Sequence, residues 1–339
     1  MRLLGKLSLS LLLLVNTLYV CADEALVKRK DVRKFISNMV NYHRFDKKQL
    51  TAILIEAKFQ PQIIESMERP YEQKTWDVYK ELFLTPTRVQ AGIEFWQANQ
   101  QTLERAQKQF GVPAHIIVAI IGVETLYGKH QGNYRVLDAL TTLAFDYPKR
   151  SEFFAKELKE YLLLCREQHV AATDYMGSYA GAIGKPQFMP SSYRFYAVDF
   201  TGNGKRDLIN DDQDVIGSVA NFFHKHGWKT NEEVAQQATV RGLHYKKLNT
   251  NSKRANYPLQ HLVAAGVQPM TEAVNPPSRA GLIELITQKG EEYWVVFPNF
   301  YVIKHYNSSP QYALVVYLLS QQLHSQWVSA QNSKQQKYG

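Results

Sequence analysis

Apolar residues in the first third of the chain recur at helical spacing. Thr85 or Thr87 can cap a segment carrying Val89, Ile93, Trp96, Leu103 and Phe110, and Gly111 stands where such a segment ends. The next segment, 112–128, has Pro113 in its first turn and is apolar through Ile116, Ile117, Val118, Ala119, Ile120, Ile121 and Val123, the pattern of a helix buried on all sides. Residues 149–167 and 215–226 also read as helices. Between them, 176–192 carries Gly177, Gly181, Gly184, Pro186 and Pro190 and reads as a loop long enough to serve a purpose. After Trp228 the texture changes: β-rich runs at 282–287 and 293–296 flank Lys289-Gly290, a hairpin signal in a small β-containing unit. Ser309-Pro310 opens a last helix expected to reach about Leu323, followed by a polar tail over 329–339 that reads as frayed. The fold class is mainly α, of the α+β kind.

The N-terminus bears on location. Arg2 and Lys6 precede an apolar run over 7–20 and the pattern Val20-Cys21-Ala22, which reads as a secretory signal peptide cut after Ala22. Cys21 is the alternative, as a lipid anchor, although Leu18, Tyr19 and Val20 before it are bulkier than a lipidation site prefers. Removal of the leader takes Cys21 away and leaves Cys165 as the remaining cysteine, so the exported chain holds together by core burial without a disulfide. The net charge of +9, two units of which leave with Arg2 and Lys6, favours an anionic partner: nucleic acid, a membrane surface or the bacterial wall. Export makes nucleic acid the least favoured. A basic surface that serves solubility alone is the plain alternative.

Candidate chemistry centres on Glu124, which ends the apolar helix and is followed by Thr125, Leu126, Tyr127 and Gly128. Burial disfavours a charged carboxylate and moves it toward the protonation behaviour of a general acid for glycosidic cleavage. The alternative is a glutamate at the helix's solvent edge. Most glycosidases carry two carboxylates, and Asp138 and Asp146 are the nearest candidates in sequence, each equally readable as a helix cap or surface charge. Asp199-Phe200-Thr201-Gly202-Asn203-Gly204-Lys205 has oxygen ligands at alternate positions and glycine at the sixth, like the start of an EF-hand loop. Asn210 occupies the twelfth position, so the loop is either a variant site closed by Asp214 or an Asx/Gly turn. Tyrosines 79, 127, 179, 301, 306 and 312 fall near these segments, and such rings both pack in cores and stack on sugars.

GVETLYG (122–128), YPKR (147–150), GSYAGAIGKPQFMPSS (177–192), VDFTGNG (198–204), IGSVANFFHKHGW (216–228) and NFYVIKHYN (299–307) together resemble, in order and spacing, the membrane-bound lytic murein transglycosylase B family. The resemblance implies a lysozyme-like core with EF-hand-like loop over 107–232, an α-helical domain over 23–106 rejoined by 299–328, and a small β domain over 233–298. It also implies non-hydrolytic cleavage of the β-1,4 bond from N-acetylmuramic acid to N-acetylglucosamine, leaving 1,6-anhydromuramoyl ends, with Glu124 as both acid and base. By the same matching Tyr79, Ser178, Gln187, Tyr306, Asn307 and Tyr312 contact sugar, while Lys149 and Arg150 face a lactyl or peptide carboxylate. Asp199, Thr201, Asn203, the Lys205 carbonyl and Asp214 are implied as ligands of a structural calcium ion, no cofactor being needed for the chemistry.

Two departures stand out. Lys149 replaces the first of a common arginine pair and loses its planar bidentate geometry, and Phe222 stands where many relatives have tyrosine. The implied protein is a periplasmic monomer acting on peptidoglycan strands, membrane-attached if Cys21 is lipidated. A hydrolytic muramidase and a noncatalytic peptidoglycan-binding protein are the competing functions, discriminated by reducing ends in the first case and no release in the second.

Overall fold

The computed structural model describes residues 25–69, 73–271 and 277–338; the leader, its cleavage site and Cys21 lie outside them. The helices along the chain are α1 (Lys30–His43), α2 (Lys47–Ile55), α3 (Pro61–Met67), α4 (Trp76–Phe83), α5 (Pro86–Ala98), α6 (Gln100–Phe110) and α7 (Ala114–Thr125). They continue as α8 (Val136–Asp146), α9 (Ser151–Gln168), α10 (Pro190–Tyr196), α11 (Asp212–Lys225), α12 (Leu259–Ala264), α13 (Pro298–Tyr306) and α14 (Pro310–Tyr338). Strands β1 (Tyr134–Arg135) and β2 (Met176–Gly177) pair with each other, and β3 (Ala235–Val240), β4 (Tyr257–Pro258), β5 (Val267–Pro269), β6 (Arg279–Thr287) and β7 (Gly290–Val296) form one antiparallel sheet ordered β4-β6-β7-β3-β5. The chain is mainly helical with a small antiparallel sheet.

The described residues divide into two compact units. The first comprises 25–68, Gly132–Ile183 and Phe188–Arg194; the second comprises Arg69–Gln131, Gly184–Gln187 and 195–338. In the first, α8 and α9 pack through Leu137, Leu140, Leu143, Phe154, Leu158 and Leu162, all buried. Asp46 caps α2 by accepting from the Gln49 amide. The loop at 176–192 is structured: β2 pairs with β1, Ile183 bridges both Gly177 and Phe188, and Pro190 opens α10.

In the second unit the apolar helix is the centre, as its composition predicts. Ile117, Val118, Ala119, Ile120 and Ile121 are wholly buried, and α14 lays Leu314, Val315, Val316, Leu319 and Leu323 into the same core. Burying a side chain of this size contributes about 1.5–3 kcal/mol. The expected single helix after Thr85 is two helices: Thr85 caps α5, and Asn99 ends it with its amide on the Phe95 carbonyl before α6 begins. No glycine or proline marks that break. Helix α14 runs to Tyr338 rather than stopping near Leu323, because Ser329 to Tyr338 contains no helix breaker and is rich in glutamine and lysine.

The expected hairpin is present with Gln288 and Lys289 as its two-residue loop, Thr287 opposite Gly290, and Gly290 at φ 133°. Leu282 and Val295 face a core completed by Leu262, Val267 and Phe297. Strands β3, β4 and β5 escape sequence reading because β3 is largely polar and the other two are two or three residues long.

Candidate active site

Glu124 occupies the last turn of α7, and the backbone beyond it is unusual. Leu126 and Tyr127 both have left-handed φ values, 50° and 58°, and Gly128 follows at 91°. For a non-glycine residue this conformation costs roughly 1–2 kcal/mol, so two in succession must be held by their surroundings. The holds are visible. The Leu126 amide donates to the Gly122 carbonyl at 3.1 Å and the Tyr127 amide to the Ile121 carbonyl at 3.2 Å, tying both left-handed residues back to the last carbonyls of α7. The buried Thr125 hydroxyl accepts from the Gly128 amide at 2.9 Å and donates to the Lys185 carbonyl at 2.8 Å. The turn thereby joins residues 184–187, whose Lys185 amide donates to the Leu208 carbonyl and whose ammonium pairs with Asp212 at 2.5 Å.

The half-buried Glu124 carboxylate is met by a phenol. Tyr312, on the first turn of α14 and 4% exposed, donates its hydroxyl to Glu124 Oε1. Tyr306, at the end of α13, lies with its ring centroid 6.5 Å from that of Tyr312, nearly parallel, and donates its own hydroxyl to the Pro186 carbonyl at 2.5 Å. Burial pushes both phenols well above their ordinary range, and the Glu124 charge pushes them further. They remain proton donors in their hydrogen bonds at neutral pH. Tyr79, on α4, is 1% exposed, packs at 5.1 Å on Phe83, and adds to the field at Tyr312. Gln187, itself left-handed at φ 49°, donates its amide nitrogen to the Gln131 and Gly184 carbonyls. Asn307 accepts from the Ser309 amide ahead of α14. Glu124, Tyr79, Gln187, Tyr306, Asn307 and Tyr312 thus belong to one unit. Phe222, without a hydroxyl, packs 4.8 Å from the Tyr306 ring and 4.1 Å from His226.

The other expected contacts, Lys149, Arg150 and Ser178, belong to the first unit. Lys149 is exposed and pairs with Glu68 at 2.7 Å; the pair holds the ammonium above and the carboxylate below their ordinary values. Arg150 stacks over Phe153 at 4.5 Å and Phe154 at 5.1 Å. The Ser178 hydroxyl accepts from the Ala182 amide at 3.1 Å, closing a tight turn. Asp138 and Asp146, considered as second carboxylates, also lie in that unit, and each has a structural occupation. Asp138 is buried against Arg135 and the Lys58 amide, and Asp146 takes Arg29 at 2.6 Å.

The EF-hand-like loop is built from its own amides. Asp199 Oδ1 accepts from the Thr201 hydroxyl and from the Gly202 and Asn203 amides, and Oδ2 accepts from Gly204. Asn203 Oδ1 accepts from Lys205. Asp214, wholly buried, takes the Phe200 amide at 2.7 Å, Thr201 at 3.2 Å and Asp207 at 2.9 Å. Among the described residues no group of three or more histidine, cysteine or acidic side chains is placed to hold a metal by itself. A hard cation here would rely on the mixed set of Asp199, Thr201, Asn203, the Lys205 carbonyl and Asp214, all oxygen. That set fits calcium in donor type. Lys185 and Asp212, which join this loop to the turn after Glu124, were not legible in the sequence, since nothing in their spacing marks a bond 27 residues apart.

Residues 28–321 match the transglycosylase SLT domain family. The chain is 41% identical over 303 residues to membrane-bound lytic murein transglycosylase B of Escherichia coli, covering 86% of this chain and 82% of that protein. In structure it matches soluble lytic transglycosylase SltB1 of Pseudomonas aeruginosa with a TM-score of 0.79 at 43% identity, over 86% of this chain and 97% of the other. It also matches Escherichia coli lytic transglycosylase Slt35 in complex with bulgecin A, TM-score 0.80 at 42% identity, and in complex with calcium, TM-score 0.80 at 41% identity, each over 88% of this chain and 94% of the other. Matched by the family model over 28–321 and at this identity by its relatives, the chain belongs to the transglycosylase SLT domain family.

Proposed function

We propose that this protein is a peptidoglycan lytic transglycosylase, cutting the β-1,4 bond from N-acetylmuramic acid to N-acetylglucosamine without water, with Glu124 as its single acid and base. The observation that carries the reading is the Tyr312 hydroxyl on Glu124, with the Tyr306 ring stacked beside that of Tyr312. Glu124 protonates the leaving glycosidic oxygen as the bond to muramoyl C1 breaks. The muramoyl 6-hydroxyl oxygen then bonds to C1, and its proton passes to the Glu124 carboxylate. Acid and base are the same group, no water is consumed, and the product carries a 1,6-anhydro end. A general acid must approach its target within about 3 Å, and the phenol from Tyr312 fixes one carboxylate oxygen for that approach.

Ser178, Gln187, Tyr79, Tyr306 and Asn307 are proposed sugar contacts, and Lys149 and Arg150 face the substrate's carboxylates, Lys149 by exchanging its Glu68 partner. Calcium, present in one Slt35 structure, is proposed for Asp199, Thr201, Asn203, the Lys205 carbonyl and Asp214, where it would brace the loop and take no part in the chemistry. Export by the leader over 1–22 to the periplasm, action as a monomer, and the division into an α domain, a core and a β domain over 233–298 are proposals of the same standing; lipidation at Cys21 would add membrane attachment. The deciding experiment is mass spectrometry of muropeptides released from purified peptidoglycan by the mature chain and by Glu124→Gln. Anhydromuramoyl ends that vanish in the variant support the reading; reducing ends make the enzyme a hydrolase, and no release makes it a binding protein.

A further inference from the structure

Arg88 stands in the first turn of α5, where a helix's own dipole disfavours a cation. Its backbone amide goes to the Thr85 cap at 3.2 Å, and its side chain turns away to the ends of two other helices. One terminal nitrogen donates to the Leu82 carbonyl at 2.8 Å and the Phe83 carbonyl at 2.9 Å, the last two residues of α4. Nε donates to the Gly122 carbonyl at 3.1 Å, in the last turn of α7 and two residues before Glu124. The guanidinium also lies 5.1 Å over the Phe83 ring, which packs in turn on Tyr79.

Burial pushes the guanidinium below its ordinary value, and no carboxylate is among the groups that act on it. A partly desolvated cation held by three carbonyls is an expensive arrangement compared with a surface ion pair. What it secures is geometric: α4 carries Tyr79, α7 carries Glu124, and one planar group ties their C-terminal ends together while offsetting the negative ends of both dipoles.

The packing around the tie leaves it little slack. The Tyr127 hydroxyl lies in a slot between Gly92 of α5 and Gly122 of α7, where an added Cβ would stand 2.3 Å and 2.4 Å from it. That hydroxyl is buried and has no hydrogen-bond partner among the described residues. A phenol that accepts such a site fixes the distance from α5 to α7, and therefore where Arg88 meets the Gly122 carbonyl.

We infer that Arg88 is a positioning residue for Glu124, tying the end of the helix that bears the acid to the end of the helix that bears Tyr79. The inference rests on the reading of Glu124 as the acid and base, and it concerns geometry: the Arg88 side chain bonds to the Leu82, Phe83 and Gly122 carbonyls and acts on Glu124 through them. Arg88→Met keeps the aliphatic stem and removes all three bonds. Arg88→Lys keeps the charge but cannot span two helix ends with a compact ammonium.

The test is steady-state turnover of purified peptidoglycan by both variants, beside Glu124→Gln and beside Leu262→Ala, a core truncation in α12 that serves as a control for lost stability. All are assayed where circular dichroism shows them folded. A misplaced acid lowers kcat by about 10- to 100-fold in Arg88→Met with KM within about threefold, and Arg88→Lys recovers part of the loss. A kcat for Arg88→Met no lower than that of Leu262→Ala, or a loss carried by KM, overturns the inference. Should Arg88→Met not fold, Arg88→Lys decides alone by the same kcat comparison. Turnover surviving in Glu124→Gln would instead remove the reading of Glu124, whatever Arg88 does.

Discussion

Two carboxylate-bearing turns of the second unit solve opposite problems. In the loop at 199–214 the acids are saturated by backbone: Asp199 receives three amides and a hydroxyl, and Asp214 receives three amides. Desolvation works against the Asp199 charge, and the loop's amides outweigh it, holding this carboxyl below its ordinary value. At 122–128 the amides bond to one another and to Thr125, and Glu124 is met by a phenol. A carboxylate fixed by many amides is locked in its charged form and serves as structure. One faced by a neutral donor can lose and regain a proton without dismantling the turn that carries it.

Exchanging or removing these partners separates the two roles, beginning with the largest effect. Glu124→Gln lowers turnover at least about 1,000-fold, roughly 4 kcal/mol in the barrier, while glycan binding measured by calorimetry stays near wild type. Asp214→Ala strands three amides, that of Phe200 buried, and costs about 3 kcal/mol of unfolding free energy in a denaturant titration, and an unchanged midpoint would mean that water replaces the carboxylate. Tyr312→Phe removes the phenol proton and lowers kcat about tenfold, near 1.4 kcal/mol, with an unshifted Tm; an unchanged kcat would show that Glu124 orients itself.

The smallest effect is that of Asp199→Asn on acid stability. Because the folded carboxyl lies below its unfolded value near 3.9, its stabilisation is fully present above about pH 5 and is lost as pH falls through the folded value. The Tm difference between wild type and variant is therefore level above that pH and closes below about pH 4. Calcium should raise the wild-type Tm, and a chelator that changes neither stability nor activity ends the metal reading.

Much of this was open to sequence reading for a physical reason. An apolar run of this length reads as a buried helix, and Pro113, Gly111 and Thr85 punctuate their helices as their chemistry requires, whereas the terminal glutamate read equally as an acid or a solvent-edge charge until the resemblance decided between them. Tyr312 enters the sequence reading only through the family resemblance, as a sugar contact, and its bond to Glu124 is not legible there, since 188 residues separate the two. Arg88 was missed because its partners are backbone carbonyls, which leave no trace in residue type; its one signal was a cation in a helix's first turn. The break at Asn99 and the long run of α14 were missed together. Local propensity is nearly neutral at both places, and asparagine can cap without help from glycine or proline.

Cys165 sits 4% exposed on α9 in the first unit, its thiol pushed up to about 12 by burial. Among the described residues it is the lone sulfhydryl, and it is inert as long as that unit stays closed. It therefore works as a clock already installed in the protein. The rate at which an excess of a thiol reagent modifies it counts how often the α8–α9 core opens, and gives the opening free energy of this unit separately from that of the unit carrying Glu124.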